Sequence, residues 1–311
     1  MAKAKKKDNV TLPRPRNLPA GHVLEENVRG FMNTPNVVAA FIGRKHRKGR
    51  DTGRLAIVCG VREKLSEEDL DRSHIIPKNH YVETMPACRT RIPTDVIPMS
   101  GHFRVHASVL GPSDIVGPGM QLQATVGIAL RHPTFGRVIT TAGHAIPQGS
   151  SPGASIIVQS DGNNFIAQLA AEPRINQATD HALLRPDAQD LVGNFFRDVT
   201  PLGPPYIPDP NHDVGRQLYV LPADRDIIPV VCRGLQGSVQ VAPNLIMNDL
   251  IFTDQQTMGG DSGACLVDEK WRVWGLLLGA FPAVEGAEDG EFFSVFIPAF
   301  RILFIENAQY L

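Results

Sequence analysis

The fold is decided by the stretch Gly259-Gly260-Asp261-Ser262-Gly263-Ala264. A serine between glycines suits a tight turn, because glycine adopts backbone angles that other residues resist. In such a turn the backbone N–H groups of Gly260 and Ser262 converge beside the serine hydroxyl and stabilise a developing oxyanion. The stretch therefore predicts Ser262 as a nucleophile, with Gly260 and Ser262 as its oxyanion hole. The alternative is an ordinary surface turn.

A histidine motif, Thr140-Thr141-Ala142-Gly143-His144-Ala145, stands earlier in the chain, directly after an apolar strand pattern. Serine is a weak nucleophile unless a neighbouring base removes its proton. Histidine commonly does so, because its imidazole titrates near neutral pH. The motif predicts His144 as the general base; the alternative is a structural histidine.

A carboxylate motif, Thr179-Asp180-His181-Ala182-Leu183-Leu184, places an acidic residue where an apolar strand begins. Such a half-buried carboxylate can accept a hydrogen bond from an imidazole and fix its tautomer and orientation. Asp180 is therefore predicted to orient His144. The alternative is an aspartate that caps a strand.

The three motifs occur in the order His144, Asp180, Ser262, separated by 36 and 82 residues. TAGHA, DHALL and GGDSGA resemble the TA[AG]H, D-x-A-L-L and GDSGG segments of trypsin/chymotrypsin-like serine peptidases. Their order agrees with that family and disagrees with subtilisins and α/β-hydrolases. The resemblance covers roughly residues 100–295. The segment before residue 100 is similar to the accessory segment of bacterial-type intracellular trypsin-like peptidases.

The resemblance implies a mainly β fold of two perpendicular six-stranded β-barrels of the chymotrypsin type. Asp180 and His144 would come from the first barrel and Ser262 from the second, with the site in the cleft between them. Ser262 would attack a carbonyl, His144 would take and return the proton, and Asp180 would stabilise the imidazolium. Ala264 replaces the usual second glycine of the serine motif, and no partner for the acidic Asp261 is evident.

The pattern along the chain agrees with β structure. The 28 glycines and 25 prolines divide it into short segments, which favours turn-bounded strands over long helices. Strands are predicted at Val37–Gly43 and Leu55–Val61, and helical spacing near the end predicts a C-terminal helix. The predicted domains are a basic disordered tail at 1–21, a small α+β accessory module at 22–99 and a peptidase domain at 100–311, with barrels at about 100–190 and 191–311.

The substrate pocket follows from the resemblance by counting from the nucleophile. An acidic floor is absent, which disfavours Arg or Lys before the scissile bond and favours an apolar or small side chain. The predicted pocket residues are Gln256 and Thr257 at the floor and Leu278, Gly279 and Ala280 along the opposite wall.

Charge is distributed unevenly. Residues 1–54 carry 13 Lys and Arg against 4 Asp and Glu, whereas the rest of the chain carries 18 against 28. The basic loop 44–50 is either a solvated hairpin or a site for an acidic partner. It has no interleaved aromatic residues for base stacking, which disfavours nucleic acid. The longest apolar stretch, Trp274–Val284, is too short to span a membrane, so no membrane partner is predicted.

The four cysteines are Cys59, Cys88, Cys232 and Cys265. They form no CxxC pair and have no histidines at zinc-site spacing. They are predicted to be free thiols in a reducing, cytoplasmic location. No metal site and no cofactor are predicted.

The sequence thus predicts a serine endopeptidase that cleaves protein or peptide substrates and is regulated by its N-terminal module. Two alternatives stay open. One is a trypsin-fold scaffold or binding protein with little catalysis. The other is a nucleic-acid-associated protein that uses the basic N-terminal segment.

Overall fold

The described residues fold into two large β-sheets and one two-stranded sheet, and the predicted mainly β class with a C-terminal helix is confirmed. Of the basic tail predicted at 1–21, only Gly21 is described; Gln256 and part of the loop 44–50 also lie outside the described residues. The computed structural model describes residues 21–47, 50–85, 88–99, 103–105, 115–116, 124–160, 163–189, 192–196, 200–223, 225–254, 257–281 and 293–311.

Strands outnumber helices throughout the described ranges. The helices are α1 Gly21–Phe31, α2 Pro210–Asp213 and α3 Ala299–Glu306. The strands of the N-terminal third are β1 Val37–Arg47, β2 Arg50–Val61, β3 Asn79–Met85, β4 Cys88–Pro98, β5 Arg104–Val105 and β6 Ile115–Val116. Those of the middle are β7 Ala129–His132, β8 Gly136–Thr141, β9 Ser155–Ser160, β10 Asn163–Leu169, β11 Arg174–Ile175, β12 Asp180–Pro186, β13 Phe195–Phe196 and β14 Thr200–Pro201. Those of the C-terminal third are β15 Gln217–Leu221, β16 Ile228–Ala242, β17 Leu245–Asp254, β18 Cys265–Val267, β19 Val273–Phe281, β20 Phe293–Pro298 and β21 Gln309–Tyr310.

Six strands of the C-terminal half form a closed ring of pairings. Their order is β15-β18-β19-β20-β17-β16, and an additional β15–β16 pairing joins the two ends. The long strand β16 makes this closure possible, because its first residues pair with β15 and its later residues pair with β17. The interior is apolar, with Trp274 and Phe296 fully buried.

The N-terminal segment continues the same sheet. Strand β1 pairs with β16 on its free edge, and β2, β4 and β3 follow in that order. Phe41 of β1 stacks on Phe252 of β17 at a ring-centroid distance of 4.3 Å. Ala40 and Ile42 of β1 belong to a second hydrophobic cluster, in which they pack with Val28 and Phe31 of α1. The predicted domain boundary at 99/100 stays a prediction. The β1–β16 pairing and the Phe41–Phe252 contact both join residues on its two sides.

The other sheet carries the strands of the first predicted barrel. Its order is β21-β7-β8-β12-β10-β9-β6, with β11 added on β12. Among the described residues these pairings form an open path rather than a closed ring. Its small core contains Ile156, Leu169 and Leu184.

The C-terminal segment links the two sheets. Helix α3 follows β20 of one sheet, and β21 pairs with β7 of the other. The buried Glu306 of α3 accepts a hydrogen bond from His181 Nε2 of β12 at 2.8 Å. It also contacts Arg174 Nε at 2.6 Å and His132 Nε2 at 3.6 Å. Glu306 therefore ties the C-terminal helix to the strand on which Asp180 lies.

We expect Glu306→Gln to lower the free energy of unfolding near neutral pH by about 1–3 kcal/mol, because it removes a buried charge with several partners. Burial raises the pKa of the Glu306 carboxyl, but the hydrogen bond from His181 and the nearby Arg174 and His132 outweigh this and lower it. A lowered pKa stabilises the fold above the unfolded value, near 4.5, and the contribution is lost as pH falls through the folded value. Urea denaturation of both proteins at several pH values should show the difference shrinking below about pH 4.5. A difference independent of pH would contradict this role.

No helix in the described part of the chain is long and apolar enough to cross a membrane.

Candidate active site

His144 lies on a single 3₁₀ turn, Gly143–Ala145, directly after β8. Close approach to β12 requires glycine at position 143, since a Cβ atom there would lie 2.6 Å from Asp180 Oδ1. The backbone N–H of His144 instead donates to that oxygen at 2.9 Å. The sequence Gly-His thus brings the histidine backbone directly against the aspartate.

Asp180 is the first residue of β12, which pairs antiparallel with β8. Because Ala182 lies opposite Thr141 in this pairing, the start of one strand lies beside the end of the other. Asp180 and His144 therefore meet at one edge of the sheet. The Asp180 carboxylate is almost fully buried, with 2% of its side chain exposed.

Ser262 lies in the turn between β17 and β18, within the other sheet. Gly260 and Gly263 have φ angles of 97° and 91°, in the region that favours glycine. At position 263 any Cβ atom would lie 2.3 Å from the carbonyl oxygen of Thr125. Thr125 holds the turn on two sides, because its N–H donates to Ser262 O at 2.8 Å and its hydroxyl donates to Gly260 O at 2.9 Å.

The three predicted catalytic side chains form one hydrogen-bonded row. His144 Nδ1 lies 2.5 Å from Asp180 Oδ2, and His144 Nε2 lies 3.0 Å from Ser262 Oγ. A carboxylate only accepts, so Nδ1 carries the proton in this contact. In the neutral imidazole Nε2 then has the free lone pair and accepts from the Ser262 hydroxyl. The tautomer is the one that a general base for Ser262 requires.

Asp261 has a partner that the sequence did not indicate. Its buried carboxylate forms an ion pair with Arg225 Nη2, from the loop between β15 and β16, and accepts from the N–H of Met258 at 2.7 Å. The Arg225 side chain is 30% exposed, whereas that of Asp261 is 3% exposed. The ion pair with Arg225 therefore stabilises the turn that carries Ser262.

We expect Arg225→Gln to lower the free energy of unfolding by about 1–3 kcal/mol, since it removes the cation that faces the buried Asp261 charge. Arg225→Lys should recover part of this loss, because it keeps the charge but not the planar donor group. Urea denaturation of both variants tests this. Equal effects of the Gln and Lys substitutions would contradict a charge-based role.

Of the predicted pocket residues, Thr257 and Ala280 are linked through Ser294, whereas Leu278 belongs to the hydrophobic core. Thr257 is fully buried, and its hydroxyl lies 3.0 Å from the Ser294 hydroxyl, a contact that the sequence prediction missed. Ser294 lies opposite Ala280 in the β19–β20 pairing. Leu278 packs in the main hydrophobic core, and Gly279 is paired with Val105 of β5. Gln256 lies outside the described residues.

Three of the four predicted free thiols, Cys59, Cys232 and Cys265, are free and buried; the Cys88 side chain is outside the described set. Burial raises the pKa of the Cys59 and Cys265 thiols to about 12 and also raises that of Cys232. Because the thiolate is the nucleophilic form, these thiols are unreactive near neutral pH. Within the described ranges no three His, Cys, Asp or Glu side chains are grouped to hold a metal ion.

Comparison with known proteins finds similarity at the level of structure. No protein-family model matches the chain, and no curated protein matches it significantly. The solved structures that it resembles are trypsin/chymotrypsin-like serine proteases. Nocardiopsis protease NAPase is 15% identical with a TM-score of 0.47, and the match covers 66% of this chain and 99% of that one. Cellulomonas bogoriensis chymotrypsin is 18% identical with a TM-score of 0.46, covering 66% and 98%. Thermobifida fusca protease A is 15% identical with a TM-score of 0.46, covering 66% and 99%.

Proposed function

We propose that this protein is a serine endopeptidase in which Ser262, His144 and Asp180 form the catalytic triad. The observation that carries the proposal is the row of contacts from Ser262 Oγ through both imidazole nitrogens to the Asp180 carboxylate. His144 and Asp180 lie at one edge of the same sheet, whereas Ser262 lies in the other. Asp180 is 36 positions and Ser262 118 positions from His144 in sequence. Core packing alone does not require such a polar row across two sheets.

The proposed reaction follows from this geometry. Ser262 Oγ attacks the carbonyl carbon of a peptide bond while His144 Nε2 removes its proton. Asp180 stays ionised and stabilises the imidazolium, which then donates the proton to the leaving amine. Water, activated by the same imidazole, hydrolyses the acyl-enzyme. The backbone N–H groups of Gly260 and Ser262 are proposed as the oxyanion hole, supported by the glycine-dependent turn that surrounds them.

The proposed specificity is for an apolar or small side chain before the scissile bond. Thr257 and Ala280 support it, since both are small and uncharged. Ser294 is added to this proposed pocket, because its hydroxyl contacts Thr257 and its position lies opposite Ala280.

Regulation by residues 22–99 is also a proposal. It is supported by the β1–β16 pairing, which joins this segment to the half of the molecule that carries Ser262. The basic loop 44–50 would be the site for an acidic partner.

A cytoplasmic location is proposed on the free thiols Cys59, Cys232 and Cys265, which suit a reducing compartment.

A peptide library tests the proposed activity. The purified full chain is incubated with the library, with Ser262→Ala as the control, and the new termini are sequenced. The expected result is cleavage by the parent alone, mainly after small or apolar residues. Absence of cleavage by the parent, together with absence of Ser262 labelling by a small fluorophosphonate, would favour a trypsin-fold binding protein. Equal cleavage by both proteins would indicate a contaminant.

A further inference from the structure

One edge of strand β19 runs past the Ser262 turn and is shared by three segments of the chain. Strand β18 pairs with β19 from Val273 to Leu276. Next along the edge, Gly263 N–H donates to Leu277 O at 2.8 Å, and Leu277 N–H donates to Ala264 O at 2.9 Å. The nucleophile's own turn therefore takes the place of β18 at this point.

Strand β5 occupies the next positions of β19. Val105 lies opposite Gly279 and Arg104 lies opposite Ala280, in antiparallel register. Strand β20 pairs with β19 from Gly275 to Phe281 and so takes the opposite edge throughout this region. Strand β5 is therefore on the same edge as β18 and the Ser262 turn.

The direction of β5 along the β19 edge determines which of its ends lies nearer to Ser262. Because the pairing is antiparallel, the C-terminal end of β5 is the end nearer Leu277 and the Ser262 turn. An extended peptide added to this edge in the same direction brings its carbonyl end toward Ser262. Addition of a peptide as a strand to an open sheet edge is a common recognition mode, in which backbone hydrogen bonds supply affinity.

A ring contact holds β5 in place, and the burial of Ser262 limits access to its hydroxyl. The Phe103 ring, just before β5, packs edge-on against Phe281 at a centroid distance of 5.1 Å. Ser262 is fully buried, with no exposed surface, although the proposed reaction needs its hydroxyl to reach an external peptide.

We propose that β5 is a built-in pseudosubstrate strand, which occupies the β19 edge at Gly279 and Ala280 and must leave before an extended peptide can bind. This inference rests on the proposed peptidase function. A substrate then competes with β5 for the same backbone groups, and its apparent affinity falls by the fraction of molecules in which the edge is free. The protein is thereby autoinhibited without a separate inhibitor.

Substitutions in β5 and at the residue just before it test the proposal; they are called the β5 variants. Val105→Pro removes a backbone N–H and disfavours strand pairing, and Phe103→Ala removes the ring contact with Phe281. Matched controls are Val116→Pro, in the two-residue strand β6 of the other sheet, and Phe195→Ala, at an exposed phenylalanine. Each full-length protein is assayed for cleavage of an extended fluorogenic peptide and for labelling of Ser262 by a small fluorophosphonate.

The expected result is that Val105→Pro and Phe103→Ala raise kcat/KM for the extended peptide roughly tenfold or more, because weaker docking of β5 leaves the β19 edge free in a larger fraction of molecules. Labelling should rise less, because the small probe does not need the β19 edge, and both controls should match the parent. If the parent and both β5 variants label Ser262 and cleave the peptide at equal rates, β5 is not inhibitory, although the peptidase assignment stands. If no variant labels Ser262, the peptidase assignment itself fails.

Discussion

Ser262→Ala is expected to reduce peptide turnover by about 10⁴- to 10⁶-fold, the range found when a nucleophile or base is removed from other catalytic triads. The alanine lacks both the oxygen that would attack the carbonyl and the proton that His144 Nε2 would remove. The fold should be unaffected, because the turn is held by backbone contacts with Thr125 and Leu277 that do not involve the hydroxyl. Steady-state kinetics and thermal unfolding of the purified variant measure both quantities.

The control for this change is Ser155→Ala, at an exposed serine at the start of β9, which should leave turnover unchanged. His144→Ala should be about as slow as Ser262→Ala, and the double variant no slower than either, because triad members act as a unit. Additive losses in the double variant would indicate that the two residues act independently.

Asp180→Asn is expected to reduce turnover by a factor on the order of 10⁴, as the same change does in a related triad. The structure gives a specific reason. Asp180 Oδ1 accepts the backbone N–H of His144, so the amide oxygen of an asparagine would take that position. Its NH₂ group would then face Nδ1 and donate to it, which forces the proton onto Nε2. That nitrogen could no longer accept the proton of Ser262.

The matched control is Asp187→Asn, at an exposed aspartate just after β12, which should have wild-type kinetics. Asp180→Asn should remain folded, since asparagine has nearly the same volume as aspartate and keeps the hydrogen bond from the His144 backbone N–H. Turnover within tenfold of the parent would mean that Asp180 does not determine the His144 tautomer, and the proposed mechanism would have to change.

The sequence predicted the candidate triad because the chemistry constrains local residue types. A nucleophile turn needs glycines around Ser262, and the approach of His144 to β12 needs Gly143, so both motifs were visible in short stretches. Arg225 was not predictable in this way. It lies 36 residues from Asp261 in a loop without a distinctive pattern, and only the closure of β15 and β16 brings the two together.

Local sequence patterns also could not predict which distant strands pair with each other. Continuous apolar runs predicted strands at Val37–Gly43 and Leu55–Val61, and both lie within the observed strands β1 and β2. The sequence did not indicate that β1 would join β16, because a strand pattern carries no information about which edge it pairs with. The same limit applies to β5, whose two residues are too few to give a periodic signal.

We claim that Ser262 is a nucleophile activated by His144. Incubating the full-length protein with a fluorophosphonate probe and locating the label by peptide mass spectrometry tests this directly. The expected result is one label per chain on Ser262, absent in Ser262→Ala and strongly slowed in His144→Ala. Absence of labelling at Ser262 in both the parent and Val105→Pro, or labelling unaffected by His144→Ala, would contradict the claim.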